Sequence, residues 1–225
     1  MAGKLYIVST PIGNLNDISK RALEVLSDAN AIAAEDSRIT NRLLNHYNIK
    51  NKVISYNNFN ENTKFEYLLD LLRNNLNIAL VSNAGTPCIS DPGYRVVNGA
   101  IKENIEVLSV PGPSSVTSAL SISGIPSDKF YFEGFLPKKK GRQKRLNYLK
   151  SLDCTIIIFE SPNRIVKTLF EIEEKLGNRV ISICKEVTKI HESVNVGYIK
   201  DIKNSFSDSI KGEHIILIAK EGYCI

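Results

Sequence analysis

Three short turns of glycine, proline and small hydroxyl residues each follow an apolar segment. They are Thr10-Pro11-Ile12-Gly13-Asn14 after residues 4–9, Asn83-Ala84-Gly85-Thr86-Pro87 after 77–82, and Pro111-Gly112-Pro113-Ser114 after 105–110. Glycine lets backbone approach a ligand, and hydroxyls add directional hydrogen bonds. Taken singly, each is also what an ordinary turn looks like. Carboxylates stand at two further segment ends. Glu35-Asp36-Ser37-Arg38 follows the short apolar stretch 31–34, and Lys185-Glu186 follows 180–184. Glu35, Asp36 and Glu186 are therefore candidate proton acceptors. A helix cap or a structural ion pair would use the same residue types. The lone His191 reads as a satisfied structural histidine.

Net charge is +5, and its distribution says more than its size. Between Gly134 and Leu152 lie seven basic residues and no acid: Lys138, Lys139, Lys140, Arg142, Lys144, Arg145 and Lys150. The rest of the chain is left at −2. Such a local run suits a polyanion; the plainer reading is a solvated linker. No aromatic residue interrupts Lys138 to Arg145, so the run would position a nucleic acid without reading its bases.

These groups need a scaffold. Segments 4–9, 31–34, 53–56, 77–82 and 105–110 read as strands. Helical spacing fills the intervals, with Asn16 or Asp17 placed to cap the first helix, and 60–74 and 114–123 helical. This alternation predicts a mostly parallel sheet covered on both faces. In such a sheet the three turns converge on one crevice at the strands' carboxyl ends. After Gly124-Ile125-Pro126 crossover helices become fewer. Strands at 130–132, 155–159, 180–184 and 214–219, with a helix at 164–176, predict a mixed sheet. The expected division is 1–124 and 125–225, two α/β domains.

Hydrophobic residues make up 43% and charged residues 24% of the 225 positions, an ordinary globular balance. The longest apolar run is strand-sized, and the N-terminal stretch is too short for a signal peptide. The four cysteines lack metal spacing and read as buried free thiols in a reducing cytoplasm. Neither a G-x-G-x-x-G turn nor a P-loop follows the first strand. That argues against nicotinamide and flavin enzymes, NTPases and the commonest glycine-loop methyltransferases.

A set of motifs resembles the ribosomal RNA small-subunit methyltransferase I family of the tetrapyrrole-methylase superfamily, the class III methyltransferases. They are Thr10-Pro11-Ile12-Gly13-Asn14-Leu15, Ala34-Glu35-Asp36-Ser37-Arg38, Ser82-Asn83-Ala84-Gly85-Thr86-Pro87 with Ser90-Asp91-Pro92-Gly93, and Val110-Pro111-Gly112-Pro113-Ser114-Ser115. Further along come Glu133-Gly134-Phe135-Leu136-Pro137, Glu160-Ser161-Pro162-Asn163-Arg164 and Lys211-Gly212-Glu213. They cover nearly the whole chain in family order. The resemblance implies two α/β domains with S-adenosylmethionine in the cleft between them, a cytoplasmic homodimer, and 2′-O-methylation of a cytidine ribose in the decoding region of 16S rRNA in the small ribosomal subunit. It implies cofactor contacts from Pro11, Ser82, Asn83, Ala84, Gly85, Thr86, Ile89, Ser114, Ser115, Phe159 and Glu160, with Arg38 and Arg164 beside the basic run as RNA contacts. No metal is implied. Three places depart from the family pattern: Asn83 for an aspartate, Asn163 for a histidine, and no histidine ahead of Asn60-Glu61. Two other readings share the fold. A corrin-type small-molecule methylase would need a Gly-x-Gly-Pro-Gly-Asp first loop and no basic run. A non-catalytic RNA-binding or ribosome-assembly factor would not bind S-adenosylmethionine.

Overall fold

A computed structural model describes residues 2–205 and 211–225. They divide into two compact units, Met1–Ser114 and Ser115–Ile225. The first contains β1 (Leu5–Val8), α1 (Lys20–Asp28), β2 (Ala31–Ala34), α2 (Ser37–His46), β3 (Val53–Ser55), α3 (Glu61–Arg73), β4 (Ile78–Val81), α4 (Tyr94–Lys102) and β5 (Val107–Val110). The strand order is β3-β2-β4-β1-β5, and every neighbouring pair is parallel. Strands β2 and β4 are buried at all four positions, so neither alternates apolar with polar residues.

Each face has its own core. Val8, Ile32, Ala34 and Val81 meet Ala22 and Leu26 of α1 and Leu44 of α2. Leu5, Ala33, Ile54 and Leu80 meet Leu68, Leu69 and Leu72 of α3 and Val96 and Ala100 of α4. Truncating one of these leucines to alanine costs about 2–5 kcal/mol. One expected cap moves. The Asn14 side chain accepts from the Asn16 amide, tying Leu15–Asp17 into its own 3-10 turn. Neither Asn16 nor Asp17 is then free to start α1. Ser19 does so, its hydroxyl accepting from the Ala22 amide at 3.1 Å. Because the strands run parallel, the segments after β1, β2, β4 and β5 all leave one edge of the sheet.

The second unit contains α5 (Ser115–Ile122), β6 (Phe130–Phe135), α6 (Arg142–Lys150), β7 (Thr155–Glu160), α7 (Ile165–Leu176), β8 (Val180–Lys185), β9 (Ser193–Tyr198), α8 (Ile199–Ile202) and β10 (His214–Ile218). Its sheet is mixed, in the order β6-β7-β10-β8-β9, with only β6 and β7 parallel. Leu146 and Leu149 of α6 and Leu169 and Ile172 of α7 cover one face, against Ile156, Ile158, Ile181 and Ile216. The sequence reading has neither α6 nor β9. In α6 only two leucines mark an apolar side among basic and polar residues, and β9 is an edge strand exposed over its first half.

The thiols are free, but only Cys184 is fully buried; Cys88 and Cys154 are half-buried and Cys224 is exposed. Among the described residues no helix is long and apolar enough to cross a membrane.

Candidate active site

The three turns of the first unit are knitted together. Thr10 and Gly85 exchange backbone hydrogen bonds at 2.9 and 3.0 Å, joining the segments after β1 and β4. The Ser9 and Thr86 hydroxyls lie 3.0 Å apart. Thr86 Oγ1 donates to the Pro113 carbonyl at 3.2 Å, adding the segment after β5. The parallel order predicts this, because β4, β1 and β5 are adjacent. Of the residues assigned to a cofactor, Pro11, Ser82 and Gly85 are buried, Asn83 and Thr86 half-buried, and Ala84 and Ile89 exposed. Ser114 closes the third turn, and Ser115 begins α5.

The segment after Gly85 is held in an uncommon backbone conformation. Cys88 (φ 70°) and Ser90 (φ 63°) sit in the left-handed region, as does Gly93 at 135°. A Cβ on Gly93 would stand 2.6 Å from Cys88 Sγ and 2.7 Å from Leu80 Cδ2, so only glycine fits. Such backbone persists where surrounding structure enforces it, often beside a reacting group. Here it flanks Asp91.

The carboxylates at this edge differ sharply. Asp36 caps α2, accepting from the Arg38 amide at 2.9 Å, and is clamped by the Arg38 guanidinium at 2.7 and 3.1 Å. The Arg38 hydrogen bonds hold its carboxyl down at about 2. That makes it a poor proton acceptor at neutral pH. Glu35 accepts from the Asn83 amide at 3.1 Å, linking the segments after β2 and β4. Asp91 behaves oppositely to Asp36. Burial, and after it the charge of Glu35, push its carboxyl up to about 6, against a hydrogen bond from Ser82. Among the described residues neither Glu35 nor Asp91 has a cationic partner. Two neighbouring carboxylates with no cation between them disfavour double ionisation. Asp91 was visible in the motif Ser90-Asp91-Pro92-Gly93, but as the start of a helix. Its raised carboxyl comes from burial first and then from Glu35, 56 positions earlier in the chain.

Glu186 has a structural task. It accepts from the Glu213 amide at 2.9 Å and pairs with Lys189 at 3.0 Å. The Glu213 amide, then Lys189, hold its carboxyl below the usual range. Gly212 (φ +91°) lies so close that a Cβ would come within 2.7 Å of Glu186 Cγ. Glu186 therefore staples two loops of the second unit, and the motif Lys211-Gly212-Glu213 is its counterpart.

Phe159 stacks edge-on against Phe132 at 4.9 Å and Phe135 at 5.7 Å. Glu160 is buried, with both oxygens engaged. Oε1 takes the Ser161 amide at 2.8 Å and Arg164 at 2.7 Å, and Oε2 takes Thr168 Oγ1 at 2.8 Å. Thr168 accepts in turn from Arg142 at 2.7 Å, and Arg142 pairs with Glu171 at 2.6 Å.

This network corrects the reading of the basic run as one surface. Arg142 is 5% exposed and belongs to the interior. Arg164 is spent on Glu160 and the Leu136 carbonyl. Arg145 is held by the buried Glu133 carboxylate and lies over the Tyr148 ring at 4.8 Å. Lys138, Lys139, Lys140 and Lys144 are exposed, and among the described residues none has an ion-pair partner. Arg38 is exposed beyond its bond to Asp36.

A cleft of about 180 Å³ opens in the first unit beside the turns, lined by Pro11, Leu15, Ile39, Arg42, Leu43 and Asn83 among others. Asn83 Oδ1 is buried and has no hydrogen-bond partner among the described residues. The turns 9–14, 82–93 and 111–114 contain hydroxyls, backbone groups and the Asp91 carboxylate, and no lysine or arginine. That donor set suits a cationic ligand such as a sulfonium better than a nucleotide phosphate. Among the described residues no group of three His, Cys, Asp or Glu could hold a metal ion.

Comparison with known proteins agrees with this architecture. Residues 4–203 match the family model described as Tetrapyrrole (Corrin/Porphyrin) Methylases. The chain is 45% identical over 222 residues to Ribosomal RNA small subunit methyltransferase I of Halalkalibacterium halodurans, covering 98% of this chain and 77% of that one. It is 47% identical over 204 residues to the protein of the same name from Thermotoga maritima, covering 91% and 92%. Among solved structures, uroporphyrin-III C-methyl transferase from Thermus thermophilus, complexed with S-adenyl homocysteine, aligns with a TM-score of 0.66 at 16% identity, over 96% of this chain and 97% of that one. At that identity the likeness is one of fold.

Proposed function

Because the chain belongs to the ribosomal RNA small subunit methyltransferase I family, within the tetrapyrrole (corrin/porphyrin) methylases, we propose that it transfers a methyl group from S-adenosylmethionine to ribosomal RNA of the small subunit. The acceptor in this reading is the 2′-hydroxyl of a cytidine in the decoding region. One observation carries the chemistry: the turns after β1, β4 and β5 are hydrogen-bonded to one another, Glu35 is tied to the β4 turn and, after burial, raises Asp91 within it, and neither carboxylate has an ion-pair partner among the described residues.

S-adenosylmethionine, when bound, supplies an electrophilic methyl group on a sulfonium. The buried turn residues Thr10, Pro11 and Ser82, with Gly85 and Thr86, hold and orient the donor. Positioning of the acceptor supplies most of the acceleration, of the order of 7–11 kcal/mol in favourable cases. Asp91 would take the hydroxyl proton on its carboxylate as the methyl–oxygen bond forms and the methyl–sulfur bond of the donor breaks, leaving a neutral thioether. A carboxyl at about 6 is ionised at neutral pH yet more basic than an ordinary aspartate. Glu35 keeps it there by charge and anchors the Asn83 amide. Lys138, Lys139, Lys140 and Lys144 contact phosphates and position the RNA.

The corrin-methylase reading is not favoured by anything in the first loop, Ser9-Thr10-Pro11-Ile12-Gly13-Asn14. A homodimer in the cytoplasm, where small subunits are found, completes the proposal; sedimentation checks the oligomeric state. The deciding experiment is radiolabelled methyl transfer to purified small ribosomal subunits with mapping of the modified ribose. Absence of transfer to RNA, together with no donor binding by calorimetry, would favour an assembly factor instead.

A further inference from the structure

Thr10, Pro11 and Ser82, assigned above to the donor, line one side of the cleft; its far side, formed by Leu15, Ile39, Arg42 and Leu43, has no task in the methyl-transfer reading. We infer that it receives the base of the target nucleotide, a single pyrimidine-sized ring turned out of the RNA, and that Asn83 bonds its edge. The inference rests on the proposed methyl transfer and says where the acceptor nucleotide is held.

Size is the first argument. An apolar cavity of about 150 Å³ holds a benzene ring, and drug-sized pockets begin near 300 Å³. At about 180 Å³ the cleft accommodates one six-membered ring with its substituents. Lining chemistry is the second. Pro11 and Leu15 come from the segment after β1, and the Tyr47 hydroxyl pins the Leu15 carbonyl, fixing that segment against the end of α2. Ile39 and Leu43 stand four apart on one face of α2. Two elements thus offer apolar atoms to the faces of a flat ring. Arg42, exposed at the rim, is placed for a phosphate.

Asn83 is the third argument. Its side-chain oxygen is buried and has no hydrogen-bond partner among the described residues, a state native structures rarely keep without a reason. An amide both donates and accepts, so a modest turn would let it pair with the donor–acceptor edge of a pyrimidine. Unstacked bases are what sequence-specific RNA-binding proteins read, and a modifying enzyme takes its target out of the stack. Position is the fourth argument. Asn83 donates its backbone amide to Glu35, and Ser82, which also lines the cleft, donates to Asp91. A nucleotide with its base here brings its ribose toward those carboxylates.

The test uses the whole chain, tritiated S-adenosylmethionine and purified small subunits. Ile39→Trp and Leu43→Trp fill the cleft. Each should lower kcat/KM for the subunit at least 50-fold while the donor's Kd, measured by calorimetry, changes less than twofold. Wild-type rates in both variants, or a loss of donor binding in either, would overturn the inference. The second arm needs no protein variant. Reconstituted subunits carrying a purine at the mapped site should be methylated at least 100-fold more slowly, and those carrying uridine within tenfold of cytidine. Equal rates on a purine would overturn it as well. Wild-type protein that methylates no RNA would instead defeat the underlying methyl-transfer reading, so the two failures are distinguishable.

Discussion

Two sets of carboxylates, one in each unit, obey opposite electrostatic rules. In the second unit Glu160, Glu133 and Glu186 each hold a cation: Arg164, Arg145 and Lys189. In the first, Glu35 and Asp91 have no ion-pair partner among the described residues, and burial, then the charge of Glu35, raise Asp91 to about 6. A paired, hydrogen-bonded carboxylate stabilises a fold, and removing it leaves a buried charge behind. An unpaired one weakens the fold and is available to take a proton. Residue type is similar in the two places, though Glu160 and Glu133 are more deeply buried than Glu35 and Asp91. The partners decide the difference.

The sharpest break in that comparison is Asp91→Asn. Methyl transfer should fall about 10²–10⁴-fold, the usual contribution of a positioned base, with donor binding retained. In the wild type, activity should drop about tenfold per pH unit below about 6. A limb near 4 would mean that Asp91 is not the base. The same substitution carries a stability signature of unusual sign. The folded state binds the Asp91 proton more tightly than the unfolded state. Its favourable contribution is therefore complete below the ordinary carboxylate pKa and is lost as pH rises through about 6. Asp91→Asn should then raise stability at pH 7.5 by roughly 2 kcal/mol and leave it unchanged at pH 3, measured by urea unfolding.

Glu160→Ala should do the reverse, destabilising by about 3–5 kcal/mol because Arg164 and the Arg142–Thr168 relay lose their anion. The folded fraction should still bind donor; loss of binding would give Glu160 a ligand role beside its structural one. A smaller effect is expected for Lys138→Ala, Lys139→Ala and Lys140→Ala combined. RNA affinity should weaken, and the slope of log Kd against log salt should fall by about 2–3. Smallest of all, Asp36→Asn and Glu186→Gln should transfer methyl at close to wild-type rates, since both carboxyls are already held low by fixed partners.

Much of the scaffold was legible from spacing. The five parallel strands, the mixed second sheet and α7 all follow from hydrophobic patterns a few residues long. The convergence of three turns followed from one added rule, that a parallel sheet sends its carboxyl-end loops to one edge. What escaped notice had little local signal. The charges along α6 hid its two buried leucines, and nothing in the order Lys-Lys-Lys-Gly-Arg-Gln-Lys separates a buried arginine from four exposed lysines.

By itself, then, the sequence determined the elements, their classes, the motifs that mark the family and the location of the basic run, because backbone preference and burial periodicity act over neighbouring residues. The tertiary structure alone decided which carboxylates are neutralised and which are not. Arg142 finds Glu171 and Thr168 from 29 and 26 positions away, and Glu35 reaches the segment after β4 across 48. Coulomb interaction and desolvation depend on distance through space, and the chain order does not contain that distance.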